Sequence, residues 1–398
     1  MYDAGRPVPL LSRTFALPCF AYLVVMIGTT LPTPIYPLYQ QHFGLTQLTV
    51  TLIYGVYALG TMSALIFCGA WSDQIGRRPI IFAAIAASAL SGILFVIEMN
   101  ITSLYIARIL SGASAGFATG TATVFVIESA PVERRQTATL WATGVNSVGL
   151  GLGPVLGGCF AQYGPWPTRL VYIVHLFLLI FATIAVKKAP ETVSVVANPS
   201  LRIRKLGLPK EAQRAFIPAA IAGIAGYSVL GFFAALTPAF MRSVLGVQNL
   251  ALAGLMVCLL FIASALGQMT LRLFHDQRAM IVSCIILAGG SLIVASSVFL
   301  SSFIALTSGV LLAGIGQGLG FRAGLADVTL TAPATRRGEV NSLYFVVLYT
   351  ALTLPIVGLG LWSDTHGIRS AGFGFSLIVA ALALVALGAL FVVQRKRA

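Results

Sequence analysis

The chain has 398 residues, of which 58% are hydrophobic and only 9% charged, and its mean hydropathy is +0.93. A soluble domain this size with so little charge would expose an apolar surface, so the composition excludes that class. The formal net charge of +14 invites a nucleic-acid reading, but the placement of the charges argues against it.

Spans of about 20 apolar residues cross a bilayer as helices. Twelve such spans are predicted, near 14–38, 49–70, 79–98, 102–126, 137–160, 169–187, 215–240, 249–271, 279–299, 302–328, 340–362 and 370–394. No alternating pattern supports a membrane β-barrel. With the N-terminus inside, 20 of the 25 Lys and Arg fall on cytoplasmic segments. Arg169, Arg242 and Arg369 fall outside, and Arg108 and Arg322 within spans. This asymmetry places both termini in the cytoplasm. The first apolar run is too long for a cleavable signal and ends without a small-residue cleavage site. The five cysteines form no CxxC pair, and the four histidines are scattered, so no metal site or cofactor is expected.

In the first span Pro32, Pro34 and Pro37 predict an irregular outer half, and broken helices often mark binding sites. Residues 69–81, GAWSDQIGRRPII, form a short cationic turn that forces two spans to lie side by side. Gly69 and Gly76 permit tight turns, Asp73 suits a helix start, and Arg77 and Arg78 hold the turn on the cytoplasmic side. The ordered pattern Gly-x-x-x-Asp-x-x-Gly-Arg-Arg resembles the loop between helices 2 and 3 of the major facilitator superfamily. In helix 4, Arg108-Ile-Leu-Ser-Gly112 resembles that family's Arg-x-x-x-Gly signature, with Ser111 where Gln is usual. In helix 5, Gly149-Leu-Gly151-Leu-Gly153-Pro154-Val-Leu-Gly157-Gly158 resembles the signature of its antiporter, mostly exporter, branch. The glycines permit close helix contact and Pro154 bends the helix.

Further along, Glu128 closes helix 4, and residues 187–214 form a polar stretch with seven Lys and Arg. This stretch reads as a cytoplasmic linker between two six-helix halves, 1–186 and 215–398. The halves match at an offset of 202 residues. Residues 130–135 (APVERR) fall on 332–337 (APATRR), Gly112 on Gly314, Gly116 on Gly318, Gly44 on Gly246 and Leu48 on Leu250. Parallel halves with a midplane site between them are a transporter architecture. The second copy of the basic turn, 271–280, keeps Arg272 and Arg278 but loses the glycines.

Intramembrane charges are functional candidates, because a central arginine costs roughly 2.5–3.5 kcal/mol on insertion scales. Arg108 faces a wet cavity or partner, or snorkels to the interface. Arg322 meets an anionic group on a substrate or pairs with another helix. Asp327, five residues on, projects to another side of the same helix, so the two make a poor intrahelical pair. His175 in helix 6 is the other titratable group well inside a span; it serves proton coupling or is a hydrogen-bonded core residue. Tyr36, Tyr54, Tyr57, Tyr227, Phe232, Phe233, Tyr344 and Tyr349 are expected along a cavity or in ordinary packing.

The resemblance implies an all-α fold of twelve helices in two pseudo-symmetric bundles, acting as a monomeric carrier and not an enzyme. It implies a role for Arg108 in proton coupling and a gate of Asp73, Arg77 and Glu128. The expected activity is export of small organic molecules across the inner cell membrane in exchange for protons, with the proton gradient as energy source. Helix 1 carries no deep carboxylate, unlike many such antiporters, so neutral or anionic amphiphiles are favoured over cations. The alternative is proton-coupled uptake of a sugar, carboxylate or other metabolite. A receptor would need an appended signalling domain, for which the short tails leave no room; a membrane enzyme would need clustered nucleophile chemistry.

Overall fold

Helix starts follow local capping chemistry. Asn100 accepts from Ser103 N in a capping box, Asn249 caps the Leu252 amide and Ser302 the Ala305 amide. The structure, a computed structural model, describes residues 13–68, 71–199, 206–274 and 278–395. Gly69 and part of the second basic turn (275–277) therefore lie outside the described residues, as does part of the linker (200–205).

In chain order the helices are α1 (Arg13–Thr30), α2 (Tyr36–Phe43), α3 (Gln47–Cys68), α4 (Ser72–Ile75), α5 (Arg77–Ile97) and α6 (Ile101–Glu128). They continue with α7 (Arg135–Tyr163), α8 (Leu170–Lys188), α9 (Lys210–Leu245), α10 (Leu250–Thr270), α11 (Arg278–Leu300), α12 (Phe303–Thr331) and α13 (Arg337–Arg395). The first crossing is broken as the prolines predict: α1 ends at Thr30, a 3-10 turn spans Thr33–Ile35, and α2 completes the crossing.

The 59 residues of α13 would span roughly 90 Å as one straight helix, about three times a bilayer core. Gly367 resolves this with φ 80°, which reverses the chain. Val340 and Tyr344 before it share a packed cluster with Ala386 and Leu390 after it, around Ala212 and Phe216 of α9. The fold is therefore all-helical, with twelve crossings among the described residues. With twelve alternating crossings, the start of α1, the end of α8, the start of α9 and the end of α13 lie at one face, the linker face. The opposite face is called the far face.

Glycines set the closest crossings. A Cβ on Gly112 would strike the Tyr57 carbonyl, and one on Gly116 the Thr61 carbonyl, so α6 lies directly on α3. In the second half Gly314 and Gly318 place α12 against Leu260 and Ser264 of α10 in the same way.

Candidate functional site

A cavity of about 270 Å³ lies between the two halves of the chain. It is lined by α1, α3, α6 and α7 from the first half and α9, α10, α12 and the first leg of α13 from the second. At the far face the halves are in contact. Gly158 of α7 lets Leu250 of α10 approach, and Gly360 of α13 lets Leu48 and Thr51 of α3 approach. Toward the linker face the lining continues to Thr123, Thr143, Gln268, Leu325 and Phe345.

Among the described residues the cavity wall carries two arginines and no carboxylate. Arg108 is 3% exposed. Its Nη1 donates to the Thr29 carbonyl (2.9 Å), which the break after α1 leaves without a helical donor. Its guanidinium carbon lies 4.6 Å from the Tyr57 ring centre and 5.7 Å from that of Tyr54, within cation–π range. The Arg108 Nε, the buried Tyr36 hydroxyl and Ser111 Oγ make no hydrogen bond among the described residues. Arg322 lines the opposite wall with no ion pair or hydrogen bond among the described residues, so no helix supplies the partner allowed for above.

Two amides add donors. Asn146 Oδ1 accepts from the Tyr22 hydroxyl (3.0 Å), and Gln317 Oε1 from Ser264 Oγ (2.6 Å). Their acceptor ends are thus engaged, and their NH₂ groups have no partner among the described residues. The lining is rich in donors and positive charge.

Several expected cavity residues lie elsewhere. Tyr57 and Tyr227 line the cavity, as do Tyr54 and Tyr349. Tyr36 is buried behind the wall. Phe232 stacks on Phe375 and packs edge-on against Phe233, away from the cavity. The Tyr344 hydroxyl donates to the Ala219 carbonyl within the second half. For Phe232 and Phe233 the cause is that α9 is buried nearly all round, so its aromatics carry no mark of which face meets water. His175 is not on the wall either. It is 3% exposed and its Nε2 sits 3.0 Å from the Val24 carbonyl, packed against Gly28 of α1. Asp327 lies off the wall, one and a half turns closer to the linker face than Arg322.

The basic turn forms a network within the first half. Arg77 donates through Nη1 to Asp73 (2.6 Å) and Ser72 (2.7 Å), and through Nε and Nη2 to Glu128 (3.1 and 2.9 Å). Asp73 lies in the first turn of α4, as a residue suited to a helix start, without capping it; its carboxylate is turned onto Arg77. The cap of α5 comes from Glu191, whose two oxygens accept from the Arg77 and Arg78 amides (2.8 and 3.0 Å). Gly76, at φ 99°, makes room for that carboxylate. Thr192 donates to Glu128 (2.6 Å) and Arg78 reaches the Lys187 carbonyl (3.0 Å). The segment after α8 is thus strapped to the turn. Sequence reasoning missed Glu191, since nothing local marks an acid that acts 113 and 114 residues away.

The helix-5 glycines face two ways. Gly149, Gly153 and Gly157 admit Met26, Ile27, Thr30 and Leu31 of the first crossing, in the same half. Gly151 and Gly158 face α10, and the Pro154 carbonyl meets Gly254 there. Both the intra-half and the inter-half contact depend on this one stretch.

A family model described as Major Facilitator Superfamily matches residues 19–354. The chain belongs to the major facilitator superfamily. Members of this superfamily are transporters and not enzymes, and this member is a multi-pass membrane protein and secondary transporter of small molecules. The structure superposes with TM-score 0.73 on a bacterial homolog of the human lysosomal transporter Spinster, solved in an inward-facing and occupied conformation. That match is 15% identical and covers 98% of each chain. An uncharacterized MFS-type transporter of Methanocaldococcus jannaschii is 23% identical, over 87% of this chain and 90% of its own. Multidrug resistance protein 2 of Bacillus subtilis is 27% identical over 35% of each chain. Quinolone resistance protein NorA of Staphylococcus aureus is 26% identical over 36% of this chain and 37% of its own. The chain thus matches these two resistance proteins over about a third of their length.

Proposed function

We propose that this superfamily member is a proton-driven exporter of neutral or anionic amphiphiles in the inner cell membrane, acting as a monomer. Its linker face lies in the cytoplasm. The bundles 1–186 and 215–398 rock about the cavity, joined by the linker 187–214. The observation that carries the substrate class is the lining: Arg108, Arg322 and two free amide NH₂ groups, with no carboxylate. A permanent cation would find no counter-charge there and would be repelled at short range. The aromatic walls of Tyr57, Tyr227, Phe321 and Tyr349 suit an apolar body.

Direction rests on the helix-5 glycine pattern and on the partial likeness to proteins named for drug resistance. The closed far face and the lining that runs toward the linker side support loading from the cytoplasm. Coupling is tested in proteoliposomes of known orientation. An imposed pH gradient should drive solute against its gradient, with protons moving the other way. Solute driven in the same direction as the protons would instead establish an uptake carrier, and counterflow that ignores the gradient an uncoupled one.

A further inference from the structure

Two of the contacts that close the far face are copies of one another. Asp364, in the last turn of the first leg of α13, accepts from the Gln47 and Leu48 amides at the start of α3 (2.8 and 2.9 Å). Gln162, in the last turn of α7, accepts from the Leu250 amide at the start of α10 (2.9 Å). Gln162 and Asp364 are separated by the repeat offset of 202 residues, as are Leu48 and Leu250. The glycines that let the helices approach, Gly158 and Gly360, are separated by the same offset. Each half therefore caps the first turn of a helix in the other half.

The first amides of a helix have no partner inside it, and a capping side chain satisfies them. Beside the local caps, Asn249 on the Leu252 amide and Thr46 on the Thr49 amide, these caps come from the opposite half and exist only while the far face is closed. A carboxylate in the last turn of a helix is unfavourable by itself. Asp364 offsets that cost by facing the start of α3. When the halves separate, water takes over the amides and Asp364 loses its compensation.

We propose that Gln162 and Asp364 are paired gating residues: a reciprocal, two-fold related latch whose two caps open together and set how often the far face opens. The latch rests on the alternating-access reading but not on any substrate, so it stands or falls separately from the substrate class. It also has a built-in asymmetry, one charged cap and one neutral.

The test is amide hydrogen exchange of the full chain in lipid nanodiscs, followed in peptides covering 45–52 and 248–254. Removing a cap locally would expose only the helix it caps. A latch predicts a crossed effect. Asp364→Ala should raise exchange in 248–254, and Gln162→Ala in 45–52, each by about fivefold, the usual worth of one cap. Gln162→Glu keeps an acceptor and adds charge, so it should slow exchange in both peptides; this variant removes nothing from the fold. Exchange that rises only in the helix whose cap was removed, or in neither, would overturn the proposal.

Discussion

The Thr30 hydroxyl donates to the Leu150 carbonyl at 2.9 Å, the acceptor that Pro154, four residues on, leaves without its helical amide. A bend in α7 is thereby tied to the end of α1, at the edge of the cavity. Thr30→Val should leave this carbonyl unpaired and cost about 1–3 kcal/mol. Pro154→Ala restores the amide and should largely rescue it. A double-mutant cycle by thermal unfolding in detergent checks this; additive losses would contradict it.

The basic turn orders its own partners. Asp73 is 59% exposed as a side chain and Glu128 25%, while both bond Arg77, which is 6% exposed. Charge pairs weaken as water reaches them. Glu128→Gln should therefore lower the melting temperature clearly more than Asp73→Asn. An equal or reversed order would show that exposure does not govern the network.

Glu191 holds the segment after α8 against the turn through two amides. Glu191→Ala frees both and should accelerate tryptic cleavage at Lys187 and Lys188, read as the lifetime of the intact chain. Unchanged cleavage would mean that Thr192 on Glu128 suffices to hold the strap.

The crossing pattern and the close glycine crossings were legible in the sequence because their causes are local. Apolar run length gives the spans, Pro32 and Pro34 break α1, and Gly149, Gly153 and Gly157 announce a close partner. What was not legible depends on chain brought together from afar. Asp364 and Glu191 look like ordinary loop-side acids until α3 and α5 start beside them. Phe233 and Tyr36 are apolar-run aromatics like Tyr57, and only packing decides which of them meets the cavity.

Arg322 has no partner among the described residues and lines the wall opposite Arg108, which makes it the group most available to a substrate anion. Arg322→Gln should raise KM for an aryl sulfonate roughly 10–100-fold, the range for a charge-assisted hydrogen bond, and leave the matching neutral sulfonamide within about twofold. Equal loss for both would make Arg322 a structural residue.

The most direct test of the account is uptake by respiring everted vesicles, whose interior is acid, of labelled naphthalene sulfonate, its sulfonamide and tetraphenylphosphonium. Accumulation of the sulfonate or sulfonamide but not the phosphonium, abolished by collapsing the pH gradient, is the predicted result. Accumulation of the phosphonium alone would contradict the reading of the cavity.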